Sequence, residues 1–470
     1  MYTLIKATDQ MYLKSILILQ LVCALSLCNT LNGQIHMEGS VALDLKTGFF
    51  KCDLQLSNLP KLKAYRILLN KGMNIKYFKD TRNELIDYVG HYDGSIKGEA
   101  VEYTFKADPN EHIPPEFRVN YKGAFPVYVD DFNLFDHKGL IAINDKTLRA
   151  TEQTKWYPVI YDVKNDKLIH SYTYDLTISL EGGSTIYING SAPKKAAKEH
   201  FVSNKAHPLL LFAGNYDFVE DKGDYILNTT VTKENAEIIF GNIARIKNNL
   251  SKNLGIEFSD NIYLIHHRAT NKRKKGSSWG FNTYPSFAFT GLDFKKLVDS
   301  NGKFYDDYYK YFGHEFGHNY FGSNVMSGKL GWFWLESFAE YLSYNTAEDL
   351  SGKQFLSEVL IEQLKHIKEG SFIPLDKIEH KDQIDEKYRY VLAPLMLKCF
   401  EDRFGRQKAN LTLKYVLDFA KKESLTLEHL ERAATKSGIS KKQFEVFKTN
   451  FIIHTDFKEH IIREIEKKYG

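Results

Sequence analysis

The segment His314-Glu315-Phe316-Gly317-His318 constrains this 470-residue chain more than any other. Two histidines four residues apart share one face of a helix, where both imidazoles can reach a single metal ion. The segment is therefore expected to be helical and to lie against something that completes the ligand set. Glu315 sits beside the first histidine, on an adjacent face. From there it can act as general base toward a metal-activated water. Two neutral imidazoles underfill a Zn²⁺ site, because hydrolytic zinc takes three protein ligands and keeps one open position. Glu336 is the best third ligand downstream. It falls on a second expected helix, Trp334-Leu335-Glu336-Ser337-Phe338-Ala339-Glu340-Tyr341. Glu340 is one turn further on the same face. A carboxylate there can take the second ring N–H of a liganding histidine and fix its tautomer. The blander reading, an amphipathic helix with two exposed histidines, leaves the paired carboxylates unexplained.

Organisation along the chain supports an α+β protein of several domains. Its length favours two or three. Residues 34–205 read as an all-β domain. Tyr174, Leu176, Ile178 and Leu180 alternate with polar residues, and Thr185–Ile188 resumes after Glu181-Gly182-Gly183-Ser184, which predicts a hairpin. Short runs of the same kind occur at Tyr65–Leu69, Val101–Phe105 and Phe117–Tyr121. The 29 Tyr and 32 Phe against 11 Pro suit half-buried strands. Residues 206–405 change character. Thr232 can cap a helix with Ala236, Ile239, Ile243, Ile246 and Leu250 on one face. Ile262–Ile265 reads as a buried strand. From about residue 304 helices dominate: Phe304–Phe321, Trp332–Tyr344, Phe355–Ile367, Tyr388–Phe404, Leu411–Lys421, Leu427–Lys436 and the stretch 441–468. Residues 406–470 form a C-terminal helical segment.

The first 33 residues are set apart. Lys14 precedes an apolar run from Ile16 to Cys28, then Asn29-Thr30-Leu31-Asn32-Gly33, which is the layout of a secretory signal peptide. Met11 is an alternative start. A membrane anchor would need a longer apolar run, and Leu27 is a poor residue before a lipidated Cys28. A secreted or periplasmic location is the expectation. Of four cysteines, Cys23 and Cys28 fall in this segment; Cys52 and Cys399 are too far apart to suggest a disulfide framework. A net charge of +4 over this length gives no sign of a nucleic-acid partner. The expected partner is a peptide or protein substrate, with no stable membrane span after signal cleavage.

His314-Glu315-Phe316-Gly317-His318-Asn319-Tyr320-Phe321-Gly322, followed by Trp334-Leu335-Glu336-Ser337-Phe338-Ala339-Glu340-Tyr341, resembles the M1 family of gluzincin metallopeptidases. The family pattern is HExxH-x18-E; here seventeen residues separate His318 from Glu336, and Glu-Ser-Phe-Ala matches the family's Glu-Gly-Phe-Ala. The resemblance implies a saddle-like β domain followed by a thermolysin-like, mainly helical catalytic domain and C-terminal helices. It implies one Zn²⁺ per chain. Leu210–Asp217 resembles the last strand of the β domain. Thr426–Glu431 and the stretch from Ser437-Gly438 through Phe444 and Phe447 resemble the helices after the catalytic domain. The family's oxyanion-stabilising tyrosine resembles Tyr390, with Tyr388 as the alternative, although the family's Lys-Gly pair is absent.

One departure bears on substrate choice. The family's GAMEN strand, whose Glu grips a free amino group, corresponds to Gly280-Phe281-Asn282-Thr283. Thr283 takes the Glu place and carries no charge, though the strand can still pair with a peptide backbone. Upstream, Arg268 and Lys272-Arg273-Lys274-Lys275 read as a solvated loop or as a basic lip. His266 and His267 read as histidines at a core edge.

The resulting expectation is Glu-assisted attack of zinc-bound water on a peptide bond. The ligands are His314, His318 and Glu336; Glu315 carries the proton, and Tyr390 stabilises the oxyanion. Three versions stand: an aminopeptidase-like exopeptidase, a zinc peptidase with no free-amine requirement, and a non-catalytic binding protein on the same fold.

Overall fold

The computed structural model describes residues 33–91, 100–106, 112–128, 136–267, 279–290, 292–322 and 324–470. The expected signal segment, with Cys23 and Cys28, and the basic stretch Arg268–Lys275 lie outside them. Two compact units emerge. One comprises residues up to Val127, Gly139–Ile160 and His170–Gly214; the other comprises Tyr128–Lys138, Tyr161–Ile169 and Asn215–Gly470.

The first unit is β-rich. Its six-stranded sheet runs Lys198–Pro208, Ser171–Glu181, His36–Asp44, Phe49–Ser57, Phe117–Ala124 and Met73–Lys79, in that spatial order. Strict alternation buries Tyr172, Tyr174, Leu176, Ile178 and Leu180 on one face of Ser171–Glu181. A four-stranded sheet runs Thr185–Ile188, Leu211–Gly214, Thr147–Ala150 and Ala142–Ile143.

The hairpin expected across Gly182-Gly183 does not form. Ser171–Glu181 pairs with His36–Asp44 and Lys198–Pro208, while Thr185–Ile188 pairs with Leu211–Gly214. The burial patterns give the reason. Ser171–Glu181 buries every second residue, whereas all four residues of Thr185–Ile188 are buried. A one-faced strand and a two-faced strand belong to different sheets. Gly182, at φ +79°, adopts the left-handed turn that parts them.

The second unit places five strands in the order Phe218–Asp221, Asp224–Leu227, Tyr263–His267, Ser286–Thr290 and Trp279–Thr283, so the last is an edge strand. Nine α-helices follow or flank it among the described residues: α1 Lys233–Leu254, α2 Asp306–Gly317, α3 Phe338–Ser351, α4 Lys353–Ile367, α5 Ala393–Phe404, α6 Arg406–Ala420, α7 Leu427–Lys436, α8 Lys441–Lys448 and α9 Phe457–Tyr469. Helix α1 starts where the sequence says. The Thr232 side chain accepts from Asn235 N, and Ala236, Ile239, Ile243, Ile246 and Leu250 are buried. The stretch 441–468 is helical as expected, in two α-helices. His454 turns extended at ψ 148° and its Nδ1 accepts from Asp456 N, which breaks the run. Wide π-type segments, Phe333–Ser337 and Tyr388–Leu392, lead into α3 and α5. One hydrophobic core extends from Ile226 to Ile465. Among the described residues no helix is long and apolar enough to cross a membrane.

Candidate metal centre

Two glycines bring α2 and α3 together. A Cβ on Gly313 would lie 2.8 Å from the Thr346 side chain, and one on Gly317 would lie 3.1 Å from the Ala339 backbone. These glycines are four residues apart, so both fall on the helix face that meets α3. His314 and His318 each follow one of them. The close approach therefore carries both imidazoles toward the residues that enter α3.

His314 Nε2 and His318 Nε2 each lie 3.4 Å from Glu336 Oε2. Among the described residues, His314, His318 and Glu336 form the one group of three or more His, Cys, Asp or Glu residues whose ligand atoms all lie within 4.8 Å of one another. The two rings stand nearly perpendicular, 4.9 Å between centroids. Glu336 is buried, and its Oε2 makes no hydrogen bond of good geometry. A buried carboxylate oxygen with no donor is costly. An ion shared with the two Nε2 atoms would satisfy it, and two imidazoles plus one carboxylate suit Zn²⁺. The donor set thus fits the metal.

The far nitrogens also have close polar neighbours. His314 Nδ1 lies 2.8 Å from Glu340 Oε2, and Lys310 Nζ donates to Glu340 Oε1 at 2.5 Å. His318 Nδ1 lies 3.0 Å from the Phe321 carbonyl oxygen. With the Glu340 carboxylate near one Nδ1 and the Phe321 carbonyl near the other, both Nε2 atoms face Glu336. Burial opposes charge on His314, but the facing Glu336 and Glu340 carboxylates outweigh it and raise its pKa. Burial also opposes charge on Glu336 and Glu340; their cationic neighbours, His318 and His314 for the first and Lys310 and His314 for the second, hold both below the usual carboxylate range. Glu336, which faces both Nε2 atoms, thus favours positive charge between the imidazoles. A proton or a divalent cation can supply it.

Glu315 is half-buried on α2. Its backbone carbonyl accepts from Asn282 Nδ2 at 3.2 Å. Tyr311, one turn earlier, interacts with the Glu315 carboxylate, and its hydroxyl lies 2.5 Å from where a Cβ on Gly280 would stand. The edge strand thus packs directly against the helix that carries Glu315.

The two candidate tyrosines separate clearly. The Tyr390 ring lies 5.8 Å from the His314 ring. Burial raises its pKa, and the Glu336 carboxylate raises it further. Tyr388 is buried elsewhere and donates to the Ile373 carbonyl oxygen at 2.9 Å. Arg389 stacks over Trp332 at 4.5 Å and over Tyr390 at 5.2 Å.

Thr283 is 2% exposed. Asn282 O accepts from Lys138 Nζ at 2.5 Å, and the ammonium lies 5.9 Å from the Phe281 ring centroid. His266 and His267 stay outside the cluster. His266 is half-buried, with its ring 5.4 Å from Phe294, and His267 is buried with Nε2 3.3 Å from Asp136 Oδ2. Sequence reasoning overlooked Lys310, Tyr311 and Lys138. Lys310 and Tyr311 had a signal, since each stands one turn before His314 or Glu315 on α2. Lys138 had none.

No family model and no curated protein matches the sequence. Solved structures do. An M1 zinc metallopeptidase from Deinococcus radiodurans superposes with a TM-score of 0.59 at 12% identity, over 88% of this chain and 93% of that one. A mutant of that metallopeptidase, bound to a Tyr-Ser-Ala substrate, gives 0.60 at 12% identity over 89% and 93%. Native LTA4 hydrolase from yeast gives 0.63 at 10% identity, over 89% of this chain and 66% of that one. At such identities the likeness speaks for the fold alone: β-rich unit, helical unit and the order of both along the chain are those of the M1 zinc metallopeptidases, and this chain has their fold.

Proposed function

We propose that this protein is a secreted zinc-dependent peptidase. The observation that carries the reading is the convergence of His314 Nε2, His318 Nε2 and the donor-less Glu336 Oε2, with Glu315 on the same helix. His314, His318 and Glu336 would hold one Zn²⁺, which would supply Lewis acidity to activate a water and polarise the scissile carbonyl. Glu315 accepts a proton from the attacking water and delivers it to the leaving nitrogen. The Tyr390 hydroxyl donates to the oxyanion that develops on the substrate carbonyl. Glu340, backed by Lys310, keeps the His314 ring in place. Gly280 and Asn282 offer edge-strand backbone to an extended peptide.

The M1 fold supports an aminopeptidase-like mode. The burial of uncharged Thr283 favours the second reading, a zinc peptidase with no need for a free amino group. The signal-like first 33 residues support secretion. The experiment is hydrolysis of a mixed peptide library with added zinc, after removal of metal by chelation, and after zinc is restored. Cleavage that is lost and regained supports the reading. Cleavage indifferent to metal contradicts it, and zinc binding without any cleavage would point to a binding protein on the same fold.

A further inference from the structure

A cation lies beside the metal cluster on its Tyr390 side. The wide segment Tyr388–Leu392 carries Arg389 next to Tyr390, and Trp332 stands four residues before Glu336, at the start of the other wide segment. The Arg389 guanidinium carbon lies 4.5 Å from the Trp332 ring centroid and 5.2 Å from that of Tyr390. The Tyr390 ring in turn lies 5.8 Å from the His314 ring. The guanidinium is therefore within about 11 Å of the His314 ring, a span that extended peptide covers in about three residues. Its charge is felt at Tyr390. Burial and the Glu336 carboxylate raise the phenol pKa, and Arg389 opposes them.

The two rings attract this charge, but an aromatic face accepts no strong hydrogen bond. Arginine carries five N–H donors in a planar fork. Arg389 Nε is buried and has no hydrogen-bond partner. Among the described residues, the carboxylate within ion-pair reach is Glu386, whose Oε1 is 3.8 Å from Nη2, too long for a hydrogen bond, and whose side chain is 84% exposed. The neighbouring acids are engaged elsewhere. Asp385 Oδ1 accepts from Tyr388 N at 2.7 Å, and Glu336 faces the two imidazoles. The Arg389 side chain itself is only 18% exposed. A cation held by two rings, with its donors unfilled, suits a carboxylate, which the fork can take through two parallel bonds.

We infer that Arg389 is a specificity-determining residue that takes a substrate carboxylate within about three residues of the scissile bond. An acidic side chain and a peptide's C-terminal group both offer the pair of oxygens it needs. The inference rests on the peptidase reading for what is cleaved, but the carboxylate preference is read by binding alone.

The test titrates matched hexapeptides calorimetrically onto the zinc-loaded full chain carrying Glu315→Gln. One peptide is amidated and has no acidic residue. A second differs only in a free C-terminal carboxylate. The others are amidated and carry Glu at one position in turn. At least one carboxylate-bearing peptide should bind about tenfold more tightly than the acid-free peptide. It is the free-acid peptide if Arg389 takes the C-terminus, and a member of the Glu series if it takes a side chain. Adding Arg389→Gln should remove the advantage while the acid-free peptide binds as before, and adding Arg389→Glu should turn the advantage into a penalty. No advantage in the Glu315→Gln chain, an advantage that survives Arg389→Gln, or a loss shared equally by every peptide would overturn the inference; the last would assign Arg389 to packing against Tyr390. If the wild-type chain cleaves none of the peptides while the Arg389-dependent preference holds, the peptidase reading fails and the carboxylate assignment stands.

Discussion

The helix pair α2–α3 and the edge strand Trp279–Thr283 meet at Glu315, yet they are fixed in different ways. In the helix pair, short-range periodicity does nearly everything. Gly313 and Gly317 set the approach, His314 and His318 follow from them, and Glu340, held by Lys310, lies 2.8 Å from a ring nitrogen of His314. At the edge strand, a contact comes from far along the chain, where Lys138 donates to the Asn282 carbonyl. The contacts of the helix pair are local and repetitive; those of the edge strand are not.

The sharpest way to break this comparison is at Glu315. Glu315→Gln should lower kcat by roughly 10³-fold while zinc content stays that of the wild type. Wild-type turnover in that variant would remove the helix pair from the chemistry. Next is Tyr390→Phe, which should cost roughly 10²-fold in kcat with zinc retained. If KM alone rises, Tyr390 contributes to binding and not to the oxyanion. Glu340→Ala should weaken zinc binding by roughly 10–100-fold, measured by competition with a chromogenic chelator. An unchanged zinc affinity would mean that Phe321 and packing suffice to orient the rings. The smallest effect is expected at Tyr388→Phe. It loses one buried hydrogen bond to Ile373, so thermal unfolding should report about 1 kcal/mol of lost stability with activity intact. A large activity loss there would exchange the roles of the two tyrosines.

Much of the helix pair was legible because its signals are periodic. His314 and His318 share a face at i, i+4, and Glu336 and Glu340 repeat that spacing on the next helix. Helix α1 was legible from Thr232 and its apolar stripe. Other features obey rules the sequence does not display. Whether Thr185–Ile188 pairs with its neighbour or with Leu211–Gly214 depends on which faces are buried, and four apolar residues fit either sheet. Tyr390 and Tyr388 are two residues apart within a wide helical segment whose winding departs from the 3.6 period, so only packing tells them apart. Lys138 is an ordinary surface-type lysine in sequence, and nothing local announces its contact with Asn282, 144 residues away.

The most direct test is metal analysis of the purified chain and of its Glu336→Ala variant after equilibration with excess zinc and removal of free ion. The three-ligand site requires one zinc per wild-type chain and a variant that loses it while remaining folded by circular dichroism. A wild-type chain without zinc, or a variant that holds zinc as tightly, would contradict the assignment of His314, His318 and Glu336 as the metal centre.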